Sequence, residues 1–98
     1  MDADRLAVEL VIETAGGLLT GRFGPREAVT ILATQVPQAR SSAVVLSERD
    51  GRWSASRAEL LGSIRGELAA RLEGNPQPAD LKAVVSELDR VVRALSSA

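Results

Sequence analysis

Cysteine and histidine are both absent from this 98-residue sequence. Without thiols there can be no disulfide and no cysteine nucleophile, and without imidazole the commonest general base is missing. Almost every zinc site is excluded as well, because zinc sites need sulfur or imidazole ligands. We therefore expect no metal, no cofactor and no catalytic centre, and we predict that the chain is not an enzyme.

Aromatic residues and lysine are scarce too. Trp53 and Phe23 are the only aromatic residues, and Lys82 is the only lysine among 12 basic residues, which face 13 acidic ones. A balanced chain with a pI of about 5.4 lacks the basic surface on which phosphate-driven binding depends, so nucleic acid is an unlikely partner. Abundant alanine and arginine with little lysine is typical of a bacterial protein from a GC-rich genome.

Long hydrophobic runs are also missing. No apolar run approaches the roughly 18 residues of a membrane span, and the first residues carry two aspartates where a secretory signal needs basic residues. These absences predict a cytoplasmic protein that does not enter a membrane. A chain of this length can bury a core of its own, so residues 1–98 are expected to form a single helical domain.

Helical periodicity dominates the first third of the chain. From residue 4 to about residue 20 leucines and valines recur at helical spacing, so the first helix is apolar around most of its circumference and should be buried by its own chain or by another. Pro25 suits the start of a second helix. Pro37 disfavours helical geometry at Val36, which predicts that this helix ends near Gln35.

Residues 38–55 favour a small β-hairpin around residues 43–55. Residues 43–46 form a short apolar run, Gly51 in the SERDG turn can adopt a positive φ, and the RWSA segment would be the return strand. The fold class is therefore mainly α, a four-helix bundle-like domain in the order α-α-β-β-α-α. A five-helix bundle is the alternative if residues 38–50 are helical.

Two further helices follow the predicted hairpin. Ser56 and Glu59 form a capping box and Gly74 occupies a C-terminal capping position, which predicts a third helix between them. Residues 75–78 read as a short break before a last helix at about residues 79–95. Its apolar positions alternate in spacings of four and three, a pattern that suits packing in a bundle or in a dimer.

The third helix has two apolar faces of different texture. One face carries leucine and isoleucine at positions 60, 61, 64, 68 and 72 and is expected to fill the core. The other is predicted to bind a partner, because small side chains at a spacing of four let another backbone come close; it comprises Ala58, Gly62, Gly66, Ala69 and Ala70. Solvent exposure of this face is the alternative interpretation.

The predicted hairpin supplies three further candidates for partner binding, Arg49, Arg52 and Trp53. Trp and Arg dominate the binding energy of many interfaces, although Trp53 could instead cover the core beneath its own hairpin. The GGLLTGRF segment matches the glycine spacing of a phosphate loop. It has Arg22 and Phe23 where the loop needs lysine and a hydroxyl, so nucleotide binding is rejected.

These features predict a non-catalytic protein–protein interaction or oligomerisation module, acting as a homodimer or as an adaptor. Its partner, itself or another protein, would bind the small face of the third helix, the apolar first helix, or both. One alternative is a small DNA-binding regulator with an arginine surface made of Arg22, Arg26, Arg40, Arg49 and Arg52. A second is a noncatalytic subunit that binds a small molecule between its helices.

Overall fold

A computed structural model describes residues 2–74 and 79–96. These residues form four α-helices, α1 (Ala3–Thr20), α2 (Pro25–Arg49), α3 (Gly51–Leu72) and α4 (Ala79–Ser96). The predicted hairpin around residues 43–55 is wrong, because the described part of the chain contains no strand and this segment is helical. The predicted break at residues 75–78 lies outside the described residues.

Helix α2 continues through residues 38–49 because its buried stripe does. Leu32, Val36, Ala39, Ala43 and Leu46 are spaced alternately by four and three residues, and none of them is more than 5% exposed. This spacing keeps all five side chains on one face of a helix. The residues after 43 show no common face when they are considered alone, which is why the segment resembled a strand.

Pro37 lies inside α2 and does not end it. A proline in a helix interior costs about 3 kcal/mol, because it cannot donate to the carbonyl four residues earlier and its ring crowds that group. Both Pro37 and Ala33, whose carbonyl loses the donor, are exposed, so water can solvate that carbonyl. Burial of the stripe beyond Pro37, where one fully buried leucine contributes about 1.5–3 kcal/mol, offsets the cost.

One residue, Asp50, separates α2 from α3. Its non-helical backbone (φ −145°, ψ 74°) stops α2, and its side chain accepts a hydrogen bond from the backbone N–H of Trp53 at 3.3 Å, which caps α3. The predicted capping box is therefore wrong, since Ser56 lies inside the helix and donates to the Trp53 carbonyl at 2.8 Å. At its other end α3 stops at Leu72 with Glu73, not Gly74, as the cap.

The four helices surround one core in the ring order α1–α2–α4–α3. The most extensive contacts join α1 to α2, α2 to α4 and α4 to α3, while α1 and α4 lie at opposite corners. The core contains valine, leucine, isoleucine and alanine from all four helices. Ser54 of α3 is fully buried in it and donates to the carbonyl of Leu95 in the last turn of α4 at 2.6 Å.

The end of α1 depends on a glycine in close contact with an aromatic ring. The backbone turns at Gly21, whose φ of 82° favours glycine, and the chain returns so that the Phe23 N–H donates to the Gly17 carbonyl at 3.2 Å. A Cβ at Gly17 would lie 2.4 Å from the Phe23 ring. Helix α1 therefore includes both Gly16 and Gly17 and continues to Thr20.

Candidate interaction surfaces

The predicted small face of α3 is divided between the bundle interior and solvent. Ala58 is buried, Ala69 is half-buried against the core, and a Cβ at Gly62 would lie 3.7 Å from Val92 Cγ1 on α4. Gly66 has open space around it, and Ala70 is exposed. The first group therefore serves the packing of α3 against α4, and only Gly66 and Ala70 remain available to a partner.

The predicted leucine face of α3 is divided as well. Leu61 and Leu68 are buried, and Ile64 and Leu72 are partly buried against the core. Leu60, however, is 43% exposed, so the prediction that it fills the core is wrong. Helix α3 packs against α4, α1 and α2, and Leu60 lies on the part of α3 that remains exposed to solvent.

Trp53 is half-buried between two arginines of its own chain. The Arg5 guanidinium lies 5.3 Å from the ring centroid and that of Arg57 lies 5.2 Å from it, both within the range of a cation–π contact. Arg57 is held by Glu9 of α1 at 2.5 Å, and Arg5 pairs with Asp50. Trp53 thus joins α3 to α1 and packs on the core, which is the covering role that the sequence allowed.

The two arginines predicted beside Trp53 differ in their surroundings. Arg49 pairs with Asp2 at 2.5 Å and with Asp4 at 3.6 Å, so it ties the end of α2 to the start of α1. Arg52 is exposed on the first turn of α3. Of the two, Arg52 is the one whose charge is not already matched by a described carboxylate.

Asp2 is the N-cap of α1 and has an altered pKa. Partial loss of hydration raises the pKa of its carboxyl group, but hydrogen bonds from Arg49 and from the backbone N–H groups of Arg5 and Asp4 outweigh this effect. The pKa of Asp2 therefore lies below its ordinary value of 3.8. The ionised carboxylate is the form that holds this end of the bundle together.

The five arginines of the DNA-binding alternative do not form one surface. Arg22 and Arg26 lie near the α1–α2 turn, whereas Arg49 and Arg52 lie about 35 Å away at the far end of α2. Arg22 pairs with Glu13 and Arg40 with Glu87, each at 3.9 Å. This distribution of charge gives DNA binding no support.

A different surface, which we name the α1–α2 flank, combines exposure with few charged side chains. Ala3, Asp4, Ala7, Gln38 and Ser41 line one open groove of about 500 Å³ between the two helices. Asp4 is the charged residue of this groove, and its carboxylate pairs with Arg49 and accepts a hydrogen bond from Ser42. Spacings of three and four residues place further residues on the same faces of α1 and α2. The flank comprises Ala3, Leu6, Ala7 and Leu10 from α1, and Thr34, Gln38, Ser41 and Val45 from α2.

The flank carries exposed apolar side chains among neutral polar ones. Leu6 is 41%, Leu10 39% and Val45 46% exposed. Charged groups appear at its two ends and are paired there, Arg49 with Asp2 and Asp4 at one end and Arg22 with Glu13 at the other. The sequence held a signal for this surface that the hairpin interpretation concealed: between residues 28 and 47 Arg40 is the only charged residue.

The hollows between the helices give a small-molecule site little support. The space lined by Leu18, Leu68, Leu72, Leu81 and Val85 measures about 110 Å³. Ligand pockets usually enclose roughly 300–1,000 Å³. The groove lined by Pro25, Arg26, Val29, Thr30 and Asp80 measures about 320 Å³, at the lower limit of that range, and it is about half open to solvent. The grooves of about 450 and 500 Å³ are more open still.

Residues 2–74 and 79–96 contain no group of three or more acidic side chains placed to hold a metal ion. In the same residues, no helix has both the length and the apolar content that crossing a membrane requires. Comparisons of the chain with protein-family models, with curated proteins and with solved structures found no match. Any argument about function therefore depends on the surfaces described above.

Proposed function

We propose that the chain is a non-catalytic protein–protein interaction module that binds its partner through the α1–α2 flank. The observation that carries this proposal is a surface on which Leu6, Leu10 and Val45 are all about two-fifths or more exposed and no side chain is charged. Single exposed hydrophobic residues are ordinary, whereas a continuous apolar patch on a soluble domain commonly marks a binding surface.

The distribution of charge over the rest of the molecule supports the choice of this surface. Charged residues make up 26% of the chain, and the exposed positions of α3 and α4 carry Arg52, Glu59, Glu67, Lys82 and Arg93. The centre of a protein–protein interface is depleted in charge, and its rim is polar. The flank has this arrangement, with ion pairs confined to its ends. Composition supports a bacterial and cytoplasmic setting for the module.

Site-specific cross-linking in cells tests this function directly. A photoreactive phenylalanine analogue replaces Leu10 in one variant and Ser86, exposed on α4, in a control variant. We expect ultraviolet light to produce a discrete heavier adduct from position 10 and none from position 86. Absence of any adduct from position 10, and from position 45 in a third variant, would contradict the proposed function.

A further inference from the structure

We propose that the occupant of the α1–α2 flank is a second copy of this chain, bound across a two-fold axis with the two α1 helices antiparallel. This inference rests on the proposed function and specifies its partner. In the arrangement the axis passes α1 between Leu6 and Ala7. Ala3 then faces the partner's Leu10, and Leu6 faces the partner's Ala7.

The order of side chains along α1 supports a copy as the partner. The outward-facing stripe alternates small and large residues in the order Ala3, Leu6, Ala7 and Leu10, of which Ala7 is partly buried and the other three are exposed. Reversal of this order, which is what an antiparallel partner presents, places every leucine opposite an alanine. A two-fold interface requires such self-complementarity, because residue i contacts j and j contacts i, and large residues opposite small ones interdigitate.

Charge also favours a copy. The centre of the flank carries no charge, so two copies meet there without opposing like charges. Under the antiparallel arrangement the end with Asp2, Asp4 and Arg49 approaches the partner's end with Glu13 and Arg22. Each end contains positive and negative side chains that are already paired within their own chain. The contact between the two copies therefore avoids the repulsion that unpaired like charges would cause across an interface.

The size of the flank sets the strength of the dimer. The α2 part of the flank, twelve residues from 34 to 45, is about 18 Å long, and two adjacent helices are about 20 Å wide. This projected area of roughly 360 Å² is less than the ~800 Å² that each partner contributes to a standard stable interface. We therefore expect a weak and reversible dimer, with a dissociation constant of roughly micromolar or weaker.

Sedimentation velocity from about 1 µM to 1 mM tests the inference on the purified chain and on exposed-site variants that leave the core intact. We expect the wild type to move from 10.3 kDa toward twice that mass. Leu10→Lys should raise the dissociation constant at least about 100-fold, because each protomer then places a charged lysine against the apolar surface of its partner. Leu60→Lys, at an equally exposed leucine on α3, is the matched control and should change nothing.

Mixing two variants tests the register itself. At a concentration where the wild type is mostly dimeric but below the raised dissociation constants of the variants, Ala3→Glu and Leu10→Lys should each be monomeric alone, whereas an equimolar mixture should dimerise. In the mixture Glu at position 3 faces Lys at position 10, and the second contact keeps its native Ala3–Leu10 pair. A wild-type monomer at 1 mM (roughly the upper end of micromolar affinity), a dissociation constant that Leu10→Lys leaves unchanged, or a mixture that stays monomeric would each overturn the inference. A monomer that still gives an adduct with a different protein at position 10 would refute the second copy and leave the interaction function intact, whereas a monomer without any adduct would refute both.

Discussion

Replacement of the two α3 glycines separates packing from exposure on one helix. Each glycine in a helix interior costs about 0.8–1 kcal/mol relative to alanine. Gly66 has open space around it, so Gly66→Ala should raise the free energy of unfolding by about that amount. Gly62→Ala should give a similar gain, because its Cβ would meet Val92 Cγ1 at 3.7 Å, an ordinary van der Waals distance.

Leucine, in contrast to alanine, should affect the stability of the fold differently at the two sites. At position 62 a leucine must enter the contact between α3 and α4, where overpacking costs about 1–3 kcal/mol. At position 66 a leucine meets nothing and keeps the gain in helix propensity. We therefore expect Gly66→Leu to be more stable than Gly62→Leu by about 2 kcal/mol, the middle of that range.

Urea denaturation followed by Trp53 fluorescence and by circular dichroism measures all four variants, and the m-values check that the unfolded state is unchanged. A thermal midpoint shifted by about 4–8 °C for each kcal/mol gives a second reading. Equal stability of the two leucine variants would refute the close approach of α4 to Gly62. Sedimentation of Gly66→Leu also tests the prediction that Gly66 and Ala70 bind a partner. Binding through these two residues would be disrupted by the leucine, whereas a dimer through the flank should be unaffected.

Three further changes test contacts at other places in the bundle. Gly17→Ala should destabilise the fold despite the better helix propensity of alanine, because its Cβ displaces the Phe23 ring, and urea titration beside Gly66→Ala shows the difference. Ser54→Ala should cost about 1–3 kcal/mol, because the buried Leu95 carbonyl loses its donor, whereas Ser56→Ala at an exposed site should change stability little. The pKa of Asp2 is lowered in the folded state, so its carboxylate stabilises the fold at pH values above the unfolded-state pKa. This contribution is lost as the pH falls through the folded-state pKa. Asp2→Asn should therefore weaken the dependence of the urea midpoint on pH below about pH 4.

The helical class of the fold could be predicted from the sequence, and so could the start of α2 at Pro25. The error lay at Pro37 and beyond. Local rules predict a helix end there, whereas the buried stripe from Leu32 to Leu46 crosses the proline without interruption. A local penalty of about 3 kcal/mol is smaller than the summed burial of the residues beyond it, and that sum becomes apparent only when positions before and after the proline are placed on one helix wheel.

The candidate surface was only partly accessible to sequence reasoning. The apolar character of the first helix predicted its burial by its own chain or by another. Its own chain leaves Leu6 and Leu10 exposed, and burial by another chain stays a prediction. The small face of α3 was identified, but its division between α4 and solvent depends on the angle at which α4 packs, which no local pattern encodes. The stretch of α2 from residue 28 to residue 47, in which Arg40 is the only charged residue, became visible as a surface only when residues 38–49 were known to be helical.

The most direct test of the proposed assembly is an interchain distance between spin labels. Because the chain has no cysteine, Gln38→Cys on the flank and Ser86→Cys on the opposite side of the bundle each accept one nitroxide label at a single site. Dipolar spectroscopy of the two labelled dimers should give a distance at position 38 that is shorter than that at position 86 by about 40 Å, because each of the two protomers contributes two helix diameters, about 20 Å. No dipolar signal at millimolar concentration, or a shorter distance at position 86, would contradict pairing through the α1–α2 flank.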